Sequence, residues 1–347
     1  MTDPVSLIRK NILELSPYST ARDEYSGPLG IYLDANENPY NNHYNRYPDP
    51  HQRLLKERLS QIKQTPVNRI FIGNGSDEPI DLVFRVFCEP GQDNAVSIAP
   101  TYGMYKVAAV INNIEMREVR LRKDFSLDTE ALLSVADDHS KLLFICSPNN
   151  PTGNCFPAED IEQLIKQFKG VVILDEAYID FSEKPGFLSR LTEFPNLIIL
   201  QTLSKAWGMA GLRIGLAFAR EDIIAILSRV KYPYNVNIIA QQIVLEQLTK
   251  NIQPQVSEIR SQRKWVEAQL AAIPLVKHIY PSDANFLLIR VEQPHSIYTE
   301  LINQGIIVRD RSNVPGCAGC LRITIGTPEE NQCMIDIFQE MERTKAI

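Results

Sequence analysis

From Arg69 onward the chain alternates short apolar runs with amphipathic stretches. Arg69 to Ile72 reads as a short strand and Gly73-Asn-Gly75 as a turn. Pro79 then falls in the first turn of a helix, where its missing N–H costs nothing. Ile80, Val83, Phe84 and Phe87 recur at i, i+3, i+4 and i+7, which draws one apolar helix face. Asn94 to Ala99 predicts a second strand and Tyr102 to Asn112 a second helix. Further strands are expected near 114–121, 141–146, 171–175, 197–201 and 212–219. A helix from Pro157 to Phe168 opens with Glu159 and Asp160, which suit the positive end of a helix dipole. This alternation predicts an α/β fold, with a mostly parallel sheet sandwiched by helices.

After residue 222 the pattern turns helical to about 272, with breaks expected near Pro233 and Pro254. The tail then reads as strand 285–291, helix 296–304 and strands 306–309 and 321–325, a smaller α+β domain. Residues 1–30 hold one short helix and then Pro17, Gly27, Pro28 and Gly30, and read as an arm. The organisation expected is an arm over 1–30 packed with the small domain, a large domain over 31–245 and a small domain over 246–347. A chain of 347 residues exceeds what one small core organises.

Composition narrows the function classes. Hydrophobic residues at 44% and charged residues at 22% suit an ordinary globular protein. A net charge of −6 argues against a nucleic-acid or anionic-membrane surface, because such surfaces need basic excess. A local arginine pocket for a small acidic substrate remains compatible with it. No apolar run approaches the roughly 18 residues of a membrane helix. Asp3 and Pro4 interrupt any secretory signal, so a cytoplasmic location is expected. Six cysteines are scattered, and only Cys317 and Cys320 form a C-x-x-C pair. That pair lacks two further ligands at matching spacing, so no metal site is expected and a structural or incidental role is.

Five segments carry candidate chemistry. In Thr202-Leu-Ser-Lys-Ala-Trp-Gly-Met-Ala-Gly-Leu-Arg213 a lysine follows a strand, in a turn rich in small and hydroxyl residues. A Schiff-base lysine belongs in such a recessed turn, partly deprotonated. Thr202, Ser204 and Arg213 suit a phosphate. Taken alone, Lys205 also reads as a solvated loop residue. In Val171-Val-Ile-Leu-Asp175 an acid ends an apolar strand, where open α/β sheets bind ligands. Asp175 there suits a protonated pyridine nitrogen, and equally a helix cap or metal ligand. Tyr178 and Asn150, the latter in Ser147-Pro-Asn-Asn-Pro-Thr-Gly153, suit two donors to a ring phenolate, although the second segment is also a plain turn. Gly75, Ser76 and Asp77 open a helix whose N–H groups suit a phosphate. Tyr102, in Pro100-Thr-Tyr-Gly103, suits stacking on an aromatic ring, or a simple core position.

These elements occur in one order: phosphate turn, stacking aromatic, Asn, Asp–Tyr, Lys, Arg. In that order the chain resembles aminotransferases of the aspartate aminotransferase fold, the fold type I pyridoxal-phosphate enzymes. Further segments are similar to the histidinol-phosphate aminotransferase family: Leu15 to Arg22 around Tyr18, Asn36-Glu-Asn-Pro39, Asn45-Arg-Tyr-Pro48, Phe87-Cys-Glu-Pro-Gly91, Pro100 to Tyr105, Gly305-Ile-Ile-Val-Arg-Asp310 and Gly319-Cys-Leu-Arg-Ile-Thr324. The resemblance implies pyridoxal 5'-phosphate bound covalently by Lys205, with Asp175 and Tyr178 in the chemistry. It implies transfer of an amino group between L-histidinol phosphate and 2-oxoglutarate, giving imidazole acetol phosphate and L-glutamate, in histidine biosynthesis. Arg322, Arg309, Tyr18 and Asn150 would bind substrate. Tyr47 would reach the cofactor phosphate of a second subunit, which implies a homodimer with shared sites. Alternatives on the same scaffold are a threonine-phosphate decarboxylase-like lyase and an aromatic amino acid aminotransferase. A transcription regulator with a degenerate domain would need a DNA-binding module for which the chain has no room before residue 34.

Overall fold

The computed structural model describes residues 2–16, 30–40 and 42–345. The elements follow in order: α1 (Lys10–Leu13), α2 (Arg53–Lys63), β1 (Ile70–Asn74), α3 (Asp77–Phe87), β2 (Asn94–Ala99), α4 (Met104–Ile111), β3 (Glu115–Arg120), α5 (Thr129–Ser134) and β4 (Ser140–Cys146). Next come α6 (Ala158–Gln167), β5 (Val171–Asp175), β6 (Leu197–Thr202), β7 (Ile214–Phe218), α7 (Glu221–Val230) and α8 (Ile238–Gln247). The rest is α9 (Gln253–Ala271), β8 (Val276–Ile279), β9 (Phe286–Val291), α10 (Pro294–Asn303), β10 (Arg309–Asp310), β11 (Cys320–Thr324) and α11 (Pro328–Lys345).

The larger sheet runs β1-β7-β6-β5-β4-β2-β3. From β6 to β3 every pairing is parallel, and β7 alone runs against both its neighbours. The sheet is therefore mostly parallel, as the alternation predicts. The reversal of β7 is not encoded in that alternation. Period-two side-chain alternation splits each central strand between two cores. Val172, Leu174, Leu143, Ile145, Leu197 and Ile199 pack toward α2, α6 and α8. Val171, Ile173, Leu142, Phe144, Ile198 and Leu200 pack toward α3, α4 and α7. Burying such side chains contributes roughly 1.5–3 kcal/mol each, so the strand ends rest on a rigid base. The edge strand β3, Glu-Met-Arg-Glu-Val-Arg, blunts its exposed edge with charge.

The smaller sheet is antiparallel, ordered β10-β11-β9-β8. One face packs on α9, α10 and α11 through Leu287, Ile289, Leu321, Ile323 and Phe338. The opposite face holds Leu288, Cys317, Cys320, Tyr280 and Phe125. Cys317 and Cys320 are free thiols inside this apolar cluster.

Several local expectations are corrected. Pro254 sits at the first turn of α9 and so starts that helix rather than breaking one. The strand expected over 306–309 is reduced to Arg309–Asp310, because only those residues pair with β11. Strand β8 and helices α2 and α11 are additions to the expected elements, although Leu55, Leu59 and Ile62 recur at i, i+4 and i+7 in α2. The described part of the arm, residues 2–16, does not pack with the smaller sheet. Ile8 and Ile12 join the core under α3 and α7, and Arg9 pairs with Glu89 at 2.9 Å. Among the described residues no helix is long and apolar enough to cross a membrane.

Candidate active site

The site forms where β1, β4, β5 and β6 end at one edge of the larger sheet. Thr202 of β6 pairs with Gly215 of β7. Residues 203–213 therefore leave and re-enter the sheet at the same edge, and the loop carries both Lys205 and Arg213. Arg213 holds a left-handed backbone (φ 55°), uncommon for a residue with a side chain. Its carbonyl accepts a hydrogen bond from the Gly75 N–H at 2.7 Å, which ties the two loops together. Gly215 is required by that approach: a Cβ there would lie 2.1 Å from the Ser76 nitrogen. Gly75 suits its left-handed backbone, φ +75°, and a Cβ there would push the end of the Arg213 side chain aside.

The resulting cavity is lined by Ser76, Asp77, Tyr102, Asn150, Asp175, Tyr178, Thr202, Ser204, Lys205 and Arg213. The structure thus brings together most residues singled out in the sequence. The cavity shares Tyr102, Asn150, Tyr178 and Lys205 with a wider cleft of about 710 Å³, whose walls include Arg309, Arg311 and Arg322.

Asp175 ends β5 with the parity of Val171 and Ile173, so it points to the α4 side of the sheet. There it accepts a hydrogen bond of 2.6 Å from the hydroxyl of Tyr105, and a second of 3.0 Å from the Ala177 N–H. Burial pushes its carboxyl upward, and the Tyr105 bond pulls it back. Sequence reasoning assigned no role to Tyr105, although it closes the Pro100–Tyr105 segment. Its ring stacks on Phe144 at 4.8 Å and meets Tyr102 edge-on at 5.5 Å. Tyr178 is nearly buried, with its hydroxyl 3.4 Å from the Asn150 amide. The Asn150 side-chain oxygen in turn accepts from Arg322, which links the two sheets across the site.

The Lys205 ammonium lies over the Tyr178 ring, 5.5 Å from its centroid. The side chain is open to the cleft rather than enclosed, yet its amine is held below the usual lysine range. Burial is the main cause and the Arg322 charge the next, while Asp175 opposes them. A lysine so placed is more easily deprotonated than one on the surface.

The side chains of two residues expected at the phosphate have protein partners of their own. The Asp77 carboxylate accepts from the Tyr102 hydroxyl at 3.1 Å and from Arg213 at 3.4 Å. A carboxylate repels a phosphate, so this side chain orients Tyr102 and Arg213, and what remains for an anion is the N–H groups at the start of α3. Thr202 turns its hydroxyl to the Ile214 carbonyl at 3.3 Å and accepts from the Ser204 N–H at 3.1 Å, which shapes the lysine loop. Ser204 and Arg213 face the cavity with donors.

Tyr47 stacks on Tyr234 at 4.3 Å, is about half exposed and does not line this chain's own cavity. Tyr18 lies outside the described residues.

The fold and site define an aminotransferase: the chain belongs to the aminotransferase class I and II family, whose model matches residues 32–338. It is 53% identical to the histidinol-phosphate aminotransferase of Parabacteroides distasonis, over 99% of this chain and all of that one. It is 51% identical to the histidinol-phosphate aminotransferase of Christiangramia forsetii, over 97% of both chains. Among solved structures it is similar to the histidinol-phosphate aminotransferase of Clostridium acetobutylicum. The TM-score there is 0.79 at 25% identity, covering 86% of this chain and 91% of that one.

Proposed function

We propose that the chain is a pyridoxal-phosphate-dependent transaminase that moves an amino group between L-histidinol phosphate and 2-oxoglutarate. The observation that carries the reading is one cavity edge. It sets the Lys205 amine beside buried Asp175, the Tyr178–Asn150 pair and the Arg213 anion cradle, and it opens onto a cleft walled by arginines. The full-length similarity to proteins named histidinol-phosphate aminotransferase supports the choice of donor.

The residues present fit pyridoxal phosphate. Gly75 leaves the space beside Arg213 that a side chain would fill. The donor set matches an aldehyde, a ring nitrogen, a phenolate and a phosphate. When bound, the cofactor supplies an aldehyde for amine capture and an electron-withdrawing ring. Arg213, Ser204 and the N–H groups opening α3 would hold its phosphate. Asp175, steadied by Tyr105, would hold a proton on the ring nitrogen. Tyr178 and Asn150 would donate to the phenolate. Tyr102 would stack on the ring face. Lys205 would bond the aldehyde at rest. Once free, its amine would carry a proton from the substrate's amine-bearing carbon to the carbon of the cofactor's former aldehyde, which is the shift that leaves the amino group on the cofactor. Arg322 and Arg309 would bind the anionic end of the substrate, with Tyr18 adding a donor.

The protein works as a homodimer in this reading. Ile31 and Leu33 are about 90% exposed, and Tyr40, Tyr44, Leu54 and Tyr232 are also exposed, which leaves apolar area for a partner to bury. A second copy covers such a surface, and Tyr47 then reaches the partner's cofactor phosphate.

The test is direct. Cofactor-loaded protein should show the visible band of a lysine-bound cofactor, and Lys205→Ala should abolish it. Retention of the band in that variant sinks the Lys205 assignment. L-histidinol phosphate alone should then convert the band in a half-reaction without releasing carbon dioxide. Carbon dioxide from threonine phosphate would instead favour the lyase.

A further inference from the structure

The wider cleft carries more positive charge than the two arginines expected from the sequence. Strands β10 and β11 place Arg309 directly opposite Arg322. Like charges facing each other across a ladder repel. Arg311 follows two positions after Arg309, on the same side of an extended chain, and its N–H bonds the Cys320 carbonyl at 2.9 Å. All three arginines line the cleft. Among the described residues none of the three has a carboxylate within ion-pair distance. The Nε atoms of Arg311 and Arg322 are buried without an acceptor among these residues. Burial and the Arg309 charge hold the Arg311 guanidinium below its ordinary range. Three crowded cations with no counter-charge are unfavourable unless a ligand brings the negative charge.

We infer that Arg311 is a specificity-determining residue, the third guanidinium of a subsite that holds a phosphate dianion more tightly than the carboxylate of the second substrate, which Arg309 and Arg322 suffice to bind. This deepens the reading of the cleft as the substrate site and rests on it. A carboxylate offers two oxygens and one charge, which one or two guanidiniums satisfy. A phosphate monoester offers three terminal oxygens and a charge of about −1.5 to −2 near neutral pH. The third oxygen and the second charge are what Arg311 answers. Since the second ionisation of a phosphate monoester falls at roughly pH 6, and that of inorganic phosphate somewhat higher, the selectivity belongs to the dianion and fades in acid.

The experiment is calorimetric titration of the cofactor-loaded enzyme with inorganic phosphate and, separately, acetate, at pH 5.5 and 7.5. The loaded form is used so that phosphate does not enter the cofactor's own anion cradle. The wild type should bind phosphate markedly more tightly at pH 7.5 than at pH 5.5. Arg311→Gln should lose phosphate affinity about ten-fold or more at pH 7.5, as for a lost charge-assisted bond. Its pH dependence should flatten while acetate binding changes less than about two-fold. Arg311→Lys keeps the charge without the fork and should lose about three-fold, which gives the answer even if the glutamine variant folds poorly. Unchanged phosphate affinity in these variants, or equal loss of phosphate and acetate, overturns the inference. Turnover of L-histidinol phosphate is measured in parallel. A wild type that ignores that donor but keeps phosphate selectivity defeats the proposed donor and leaves the Arg311 subsite standing. Intact turnover without phosphate selectivity does the reverse.

Discussion

Glu176, the residue after Asp175, makes a quantitative prediction about stability. It is 2% exposed. One carboxylate oxygen accepts from the Phe187 N–H at 2.6 Å and the other from the Gln201 amide at 3.0 Å. Burial nevertheless pushes its carboxyl from 4.5 up to about 7, against the pull of those two bonds. The raised value means that the folded protein keeps this proton between pH 4.5 and 7 while the unfolded chain releases it. In that window the folded state binds more protons, so stability falls as pH rises, and the loss is complete above pH 7. At 1.36 kcal/mol per pKa unit the shift corresponds to about 3 kcal/mol. Glu176→Gln removes the titration and keeps the shape. Among the described residues the Gln201 side-chain oxygen is buried without a partner, and a turn of the Gln201 amide lets it accept from the new amide. The variant should therefore be more stable than wild type by about 3 kcal/mol at pH 8, the advantage shrinking to near zero by pH 4.5. Urea unfolding at pH 5, 6, 7 and 8, at one protein concentration, measures the gap. A variant no more stable at pH 8, or a gap that ignores pH, would refute the reasoning.

Tyr105→Phe removes the hydroxyl that holds Asp175 and keeps the ring stacked on Phe144. Cofactor dissociation should rise about ten-fold, as expected for a bond to a charged acceptor. The effect should largely vanish in an Asp175→Asn background, and full additivity of the two changes would contradict the coupling. Gly215→Ala drives a Cβ against the Ser76 backbone and should cost more than about 3 kcal/mol, visible as a collapse of the melting temperature. Gly211→Ala, with nothing within 4 Å of its Cβ among the described residues, is the matched control and should change stability by less than about 1 kcal/mol. Equal melting temperatures for the two variants would show that the β1–β7 approach is not tight.

Much of the site was legible because a parallel sheet has a simple rule: apolar runs enter together and their ends meet at one edge. Asp175 and Thr202 each close such a run, and Lys205, Asn150 and Tyr178 lie just beyond one. Their grouping thus follows from the alternation of strand and helix. The illegible parts depend on distant partners. That the Asp77 carboxylate accepts from Tyr102 and Arg213 is one such part. Thr202 reads as a phosphate donor until its hydroxyl is found on the Ile214 carbonyl. The arm reads as a companion of the small domain until Ile8 and Ile12 are found in the core under α7.

The sequence by itself determined the types and order of the chemical groups and the strand ends that carry them, because side-chain periodicity and turn residues are local properties. Tertiary structure alone decided which groups touch. The reversal of β7 returned Arg213 to the edge where Lys205 sits. The packing of α4 set Tyr105 against Asp175 across 70 residues of chain. The register of β10 on β11 set Arg309 against Arg322, and Arg311 beside them. Such contacts arise from how two apolar faces interlock, and no periodicity along the chain records that fit.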